Sequence, residues 1–231
     1  MSANNAPDQS RLPYWQVNVP IDKRPAECPD FLADANEKDR GILATPDSQY
    51  HRFTWPELKE LIRTNRIDLF QRKPTDLRRY KEYMFQLKRE HGSVMDFVMK
   101  ERLHWNDLQA KGAPFTIPSD LKILYNDWPY GIDKRIVHLV VWTKFPFDED
   151  TETGDLTAKA RKEIDDYVNE TFRSKMPAEH VIWFKNWASL KTIHAIEHFH
   201  VMLFDADKDF LKVITNADVA MADKFVGSAE D

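Results

Sequence analysis

The residues best suited to chemistry crowd the stretch between Trp183 and Phe204, which holds Lys185, Asn186, Lys191, Glu197, His198 and His200. The run His198-Phe-His-Val-Met-Leu-Phe204 reads as a strand, and side chains two apart on a strand share a face. His198 and His200 should therefore project together, with Met202 and Phe204. Phe199, Val201 and Leu203 should form the opposite, apolar face. Two imidazoles on one face can attack phosphorus, clamp an anion when protonated, or bind a metal. His198 and His200 are the candidate catalytic residues; a half-buried pair hydrogen-bonded to its neighbours is the plainer alternative.

Other candidates sit on flanking segments. His138 belongs to a second strand pattern, Ile136–Trp142, and is a candidate ligand contact. Lys185, Asn186 and Lys191 suit recognition of phosphate or sugar oxygens by charge and amide hydrogen bonds, or form an ordinary polar turn. Asn126, Trp128 and Tyr130, in Asn126-Asp-Trp-Pro-Tyr-Gly131, have the composition of a sugar-stacking loop, although loop-anchoring tryptophans are as common. A metal held by His198, His200 and His138 is the runner-up. Glu197 should point to the other face, and zinc needs three or four ligands, so no cofactor or metal is expected. Arg72, Lys73, Arg78 and Arg79 form a basic cluster at a helix start, a solvated face or else a phosphate-binding edge. Cys28 sits between prolines with no nearby histidine, which argues against nucleophilic use.

These groups must be positioned by the surrounding elements. Residues 1–11 are expected to be disordered. Residues 12–50 carry most of six prolines but also Tyr14, Trp15 and Phe31, and read as an arm wrapped on the body. Residues 54–110 read as helical. Thr54-Trp-Pro-Glu57 has capping-box spacing, Asp76 can cap a second helix ending near Gly92, and Ser93 a third running to about Leu108. Residues 120–215 should supply a sheet and its covering helix. Strands are expected at 121–125, 136–142, near 181–185 and at 198–204. The covering helix, 157–173, has Ile164, Tyr167, Val168, Thr171 and Phe172 at helical spacing. Residues 216–231 read as an acidic frayed tail. The expected class is α+β: a small, mainly antiparallel sheet in the C-terminal half packed by helices, with a helical middle and a proline-rich arm.

Composition narrows the function classes. The 231 residues are 42% hydrophobic with net charge −5, which argues against a nucleic-acid-coating protein. A single cysteine excludes an internal disulfide and fits a reducing compartment, cytoplasmic or nuclear. No run approaches ~18 apolar residues, so no membrane span is expected.

Asn126-Asp-Trp-Pro-Tyr-Gly131, His138-Leu-Val-Val-Trp142, Trp183-Phe-Lys-Asn-Trp187 and Glu197-His-Phe-His-Val201 resemble the fungal N-acetylglucosamine-induced protein family. Tyr14-Trp15, Thr54-Trp-Pro56 and Arg102-Leu-His-Trp105 fit as well, so the resemblance spans roughly residues 12–215. It implies an intracellular protein tied to amino-sugar metabolism, with sialic-acid-like nucleotide sugars in range, and hands over no catalytic residues. A local likeness to histidine-triad nucleotide hydrolases and transferases rests on the order His138, helix, Asn186, His198, His200. It implies attack by His198 on phosphorus, with Lys185 or Lys191 stabilising the developing charge. The first triad position here is Ile196, a departure. The expected partner is a small phosphorylated or nucleotide-linked molecule; a non-catalytic regulator or protein-interaction module is the competing class.

Overall fold

Alternating apolar strands, each too short to bury its own faces, pair into one four-stranded antiparallel sheet. The strands are β1 (Leu121–Tyr125), β2 (Ile136–Thr143), β3 (Val181–Phe184) and β4 (Glu197–Phe204), in the order β1-β2-β4-β3. The computed structural model describes residues 9, 11–187, 193 and 195–227. In the central pair, Val140 stands opposite His200 and Trp142 opposite His198. The fold is α+β, as the alternation of patterns indicated.

Period two sorts the two faces. Leu139, Val141, Phe199, Val201 and Leu203 form one face, all buried in a single apolar cluster with Ala160, Ile164 and Val168. Those three lie on the covering helix Ala158–Val168, whose N-cap Thr157 accepts the Ala160 amide. The last turn expected to continue that helix is instead a π-helical stretch, Asn169–Arg173. It still buries Phe172 under the sheet.

The other face carries the histidines and is roofed by the helical middle. The helices are α1 (Glu37–Leu43), α2 (Trp55–Arg63), α3 (Pro74–His91), α4 (Val94–Phe97) and, after the sheet's covering helix α5 (Ala158–Val168), α6 (Lys208–Ile214) and α7 (Met221–Lys224). α2 begins on the capping box at Thr54 and Glu57. Its Trp55 and Leu58 pack with Phe70, Ile136, Phe184 and Met202. α4 runs into a second π-helical stretch, Val98–Leu103, which ends earlier than the expected Leu108 because His104 turns left-handed, φ 54°. No helix of the described residues is long and apolar enough to cross a membrane.

Two local expectations are corrected. Asp76 does not cap α3. The helix starts at Pro74, and Asp47 from the arm takes over, accepting Thr75 N at 3.2 Å and Thr75 Oγ1 at 2.5 Å and pairing with Lys73. A distant carboxylate outcompetes the local one once the arm docks. Tyr14, Trp15 and Phe31 of that arm pack around Leu32, Leu43 and Leu77. Nor is the chain frayed from residue 216. Met221 N donates to Asp127 Oδ1 at 3.0 Å and Ala222 N to Asp127 O at 3.0 Å. Arg79 donates to the carbonyls of Ala222 and Phe225. The Phe225 ring sits 5.3 Å from Tyr83 and 5.9 Å from Trp128; the apolar weight of this segment outweighs its acidic residues. Of the stretch 1–11, only positions 9 and 11 are among the described residues, and Gln9 Oε1 accepts Asn18 N.

Candidate functional site

Strand alternation puts His138, Val140 and Trp142 of β2 and His198, His200 and Met202 of β4 on the helix-roofed face. The three imidazoles are 4%, 6% and 5% exposed. His138 Nε2 and His200 Nδ1 are 2.9 Å apart, and Asn186 Nδ2 is 3.1 Å from His200 Nε2. Asn186 donates, so His200 Nε2 accepts; its Nδ1–H then donates to His138 Nε2. Asn126 closes the row: its Oδ1 accepts Trp128 N, which turns Nδ2 toward His138 at 3.2 Å. Phe184 stacks on His200 with centroids 4.8 Å apart.

This environment keeps the pair uncharged. Burial, with the Arg72 charge adding, pulls the His138 imidazole down to about 3. Burial likewise takes His200 well below the ordinary range, helped by His138, His198 and Arg72. That disfavours protonation of His138 and His200, and the pair acts as a neutral hydrogen-bond relay. His198 differs. Its Nδ1–H donates to Ile196 O at 2.8 Å, which makes Nε2 the basic nitrogen. The ring lies 4.6 Å from that of Trp142.

Above this face lies a cavity of about 260 Å³. His198, His200, Asn186, Asn126, Trp128 and Tyr130 all line it. His138 stays one layer behind, reaching the wall through His200 and Asn126. One sequence candidate among the described residues is not brought in. Lys185 turns to the other side of the chain from Asn186, as successive residues of an extended segment must, and pairs with Glu149 and, at 3.8 Å, with Glu197. Lys191 lies outside the described residues. The three-histidine metal reading also fails on geometry: His138 and His200 spend ring nitrogens on each other, and among the described residues no group of three His, Cys, Asp or Glu is arranged to hold a metal ion.

Asp127, of the same 126–131 loop, also lines the cavity, and residues from distant parts of the chain complete the wall: Arg72, Tyr80, Tyr83, Phe97 and Arg102. Arg72, one of the basic cluster at the start of α3, is half-buried in this wall rather than on a solvated face. It donates Nε to Trp128 O at 3.0 Å and lies over the Tyr80 ring at 3.9 Å. Arg102, on the π-helical stretch, donates to Asp218 through both Nη atoms and to Asp127 through Nε. A π-helical turn at a functional site is a recurrent association. Three buried polar atoms of the wall have no hydrogen-bond partner among the described residues: Asn186 Oδ1, Trp128 Nε1 and Tyr83 Oη. Leaving such an atom unpaired costs about 1–3 kcal/mol, so this wall holds polar capacity that the described residues do not satisfy.

Comparison with known proteins places the chain. It is 29% identical over 180 residues to N-acetylglucosamine-induced protein 1 of Candida albicans, covering 69% of this chain and 71% of that protein. It is 27% identical over 157 residues to an uncharacterised protein of Saccharomyces cerevisiae, covering 65% of this chain and 78% of the other. A solved crystal structure of a protein designated HTC1 shares the fold, with a TM-score of 0.56 and 22% identity, covering 71% of this chain and 94% of that one. Residues 54–204, which include β1 to β4 and the cavity's histidines, match the family model described as protein of unknown function DUF3605, and the chain belongs to that family.

Proposed function

We propose that this protein binds a small phosphorylated or nucleotide-linked metabolite of amino-sugar metabolism in the cavity over β2 and β4. The observation that carries the reading is the convergence of His198, His200, Asn186, Asn126, Trp128 and Tyr130 on one cavity beside three unpaired polar atoms. Its aromatic and amide lining suits a flat or ring-shaped polar molecule. The amino-sugar link rests on the name of the Candida albicans relative. At about 260 Å³, the cavity exceeds the ~150 Å³ that encloses a benzene. It falls below the ~300–1,000 Å³ typical of drug-sized ligands. Size thus favours a molecule of one ring over a complete nucleotide sugar.

A thermal-shift screen tests this: N-acetylglucosamine, N-acetylglucosamine 6-phosphate, uridine monophosphate and UDP-N-acetylglucosamine against the wild type and Asn186→Leu. A ligand at one hundred times its Kd stabilises the native state by about 2.7 kcal/mol. We expect at least one probe to raise the melting temperature of the wild type and not of the variant. If none does, the reading falls.

Catalysis is a second reading, favoured by the His198–Ile196 hydrogen bond, which leaves Nε2 basic. Attack by Nε2 on phosphorus would form a P–N bond as the P–O bond to the leaving group breaks, the oxygen departing with the electron pair. Arg72 rather than Lys185 would meet the developing charge. A covalent adduct seen by intact-mass measurement, absent in His198→Gln, would support turnover; unchanged probes after long incubation would leave the protein a binder or regulator.

A further inference from the structure

The cavity wall is electrically lopsided. Among the described residues Arg72 is paired with no carboxylate; its Nε goes to Trp128 O and its face to Tyr80. The terminal Nη atoms of its fork make no hydrogen bond to the described residues. Arg102, the other cation of the wall, is held by two carboxylates: Nη2 lies 2.8 Å from Asp127 Oδ1 and Nη1 2.8 Å from Asp218 Oδ1. Arg102 is thus matched by two carboxylates and Arg72 by none, and Arg72 and Asp127 line one cavity together with Trp128, Tyr83 and Tyr130. Asn186 is 6% exposed and Trp128 4%; both line the cavity, and each holds a buried polar atom, Oδ1 and Nε1, with no hydrogen-bond partner among the described residues.

Each part selects a ligand group. A guanidinium anchored through Nε offers its two Nη groups as a fork, the geometry that binds a carboxylate or phosphate in bidentate fashion. Asp127 and Asn186 Oδ1 accept hydrogen bonds, which hydroxyls supply. Trp128 Nε1 donates one, and the flanking ring faces cover the apolar side of a pyranose. Resting on the small-ligand reading above, we infer that the ligand is a single-ring polyol with one anionic group, a sugar monophosphate or a sugar acid, whose anion is held by Arg72 and whose hydroxyls face Asp127 and Asn186.

Titration calorimetry on the full chain tests this with four probes: N-acetylglucosamine 6-phosphate, glucuronate, N-acetylglucosamine and phenyl phosphate. One or both of the first two should bind at least tenfold more tightly than neutral N-acetylglucosamine, and which of them does separates phosphate from carboxylate. In Arg72→Gln that preference should vanish, the ratio of charged to neutral affinity falling to about one. Arg72→Lys, which keeps the charge and loses the fork, should retain part of it and serves if the glutamine variant does not fold. Equal affinity for charged and neutral sugars in the wild type, or a preference that survives Arg72→Gln, overturns the assignment of Arg72 while the cavity still binds. Phenyl phosphate binding as tightly as the sugar phosphate overturns the polyol. If none of the four binds, the inference falls, and a shift by uridine monophosphate in the thermal screen would keep the broader reading separate from it.

Discussion

His138 Nε2 and His200 Nδ1 meet at 2.9 Å across the β2–β4 ladder, each ring almost wholly removed from water. The pair makes stability depend on pH. An unfolded histidine titrates near 6.5, whereas burial holds His138 at about 3 in the fold. Between those values the unfolded chain binds the extra proton, so stability is complete above about pH 6.5 and is lost as pH falls. For His138 the loss between pH 7 and pH 5 is about 2 kcal/mol, and His200 adds to it in the same direction. Urea unfolding at the two pH values should show this, and a His138→Gln/His200→Gln variant should have a distinctly flatter profile. A wild type equally stable at both would mean that the two rings take up protons in the fold as readily as in the unfolded chain.

That relationship was only half legible in the sequence. Period two placed His138 on one strand face and His198 with His200 on another, and both assignments match the sheet. The hydrogen bond needs more: β2 and β4 must be neighbours with Val140 opposite His200, and nothing local specifies that pairing. Lys185 was misplaced for the converse reason. Alternation already forbids Lys185 and Asn186 from sharing a face, and the structure sends the lysine to Glu149. Arg72, Tyr83 and Arg102 reach the cavity from helices and loops far from β4 in the chain, beyond any pattern of spacing. The cap of α3 fails similarly, since Asp47 enters only when the arm folds.

The two faces of β4 should respond differently to truncation. Phe199 is fully buried among Phe147, Tyr167 and Trp183, so Phe199→Ala should cost about 3–5 kcal/mol. His200→Ala removes fewer apolar contacts but strands the Asn186 amide and His138, and should cost about 2–3 kcal/mol. His200→Gln, which can still meet one of those partners, should recover part of it. Chemical denaturation of the three variants checks the order; a His200→Ala protein as stable as the wild type would remove the relay from the account of the fold.

Asp47 should matter to the arm more than an ordinary surface aspartate. It caps α3 through Thr75, pairs with Lys73, and its own amide donates to Asn18 Oδ1 at 2.8 Å. Loss of an N-cap side chain costs about 0.5–2 kcal/mol. Asp47→Ala should fall in that range and should hasten proteolysis within residues 12–46, where the arm would loosen. Asp76→Ala, at the position the sequence favoured for the cap, should leave the arm's protection unchanged.

Arg102 joins three separate parts of the chain: the π-helical stretch, the loop at Asp127, and Asp218 after α6. Asp218 Oδ2 also accepts Tyr125 N at 3.0 Å, and Asp127 Oδ1 accepts Met221 N at 3.0 Å. Burial raises the Asp127 carboxyl above its usual range, against the pull of Arg102. Arg102→Met would fill a similar volume but leave two carboxylates facing each other without a cation. Breaking a buried pair from one side costs about 3–5 kcal/mol, so the variant should be destabilised on that scale. Because Asp127 and Asp218 hold the C-terminal segment, amide exchange at Met221 and Ala222 should accelerate beyond the global change. Replacing all three, Arg102→Met with Asp127→Asn and Asp218→Asn, should recover much of the loss by removing the stranded charges. If the triple variant is no more stable than Arg102→Met alone, the destabilisation comes from packing of the arginine stem rather than from unpaired carboxylates.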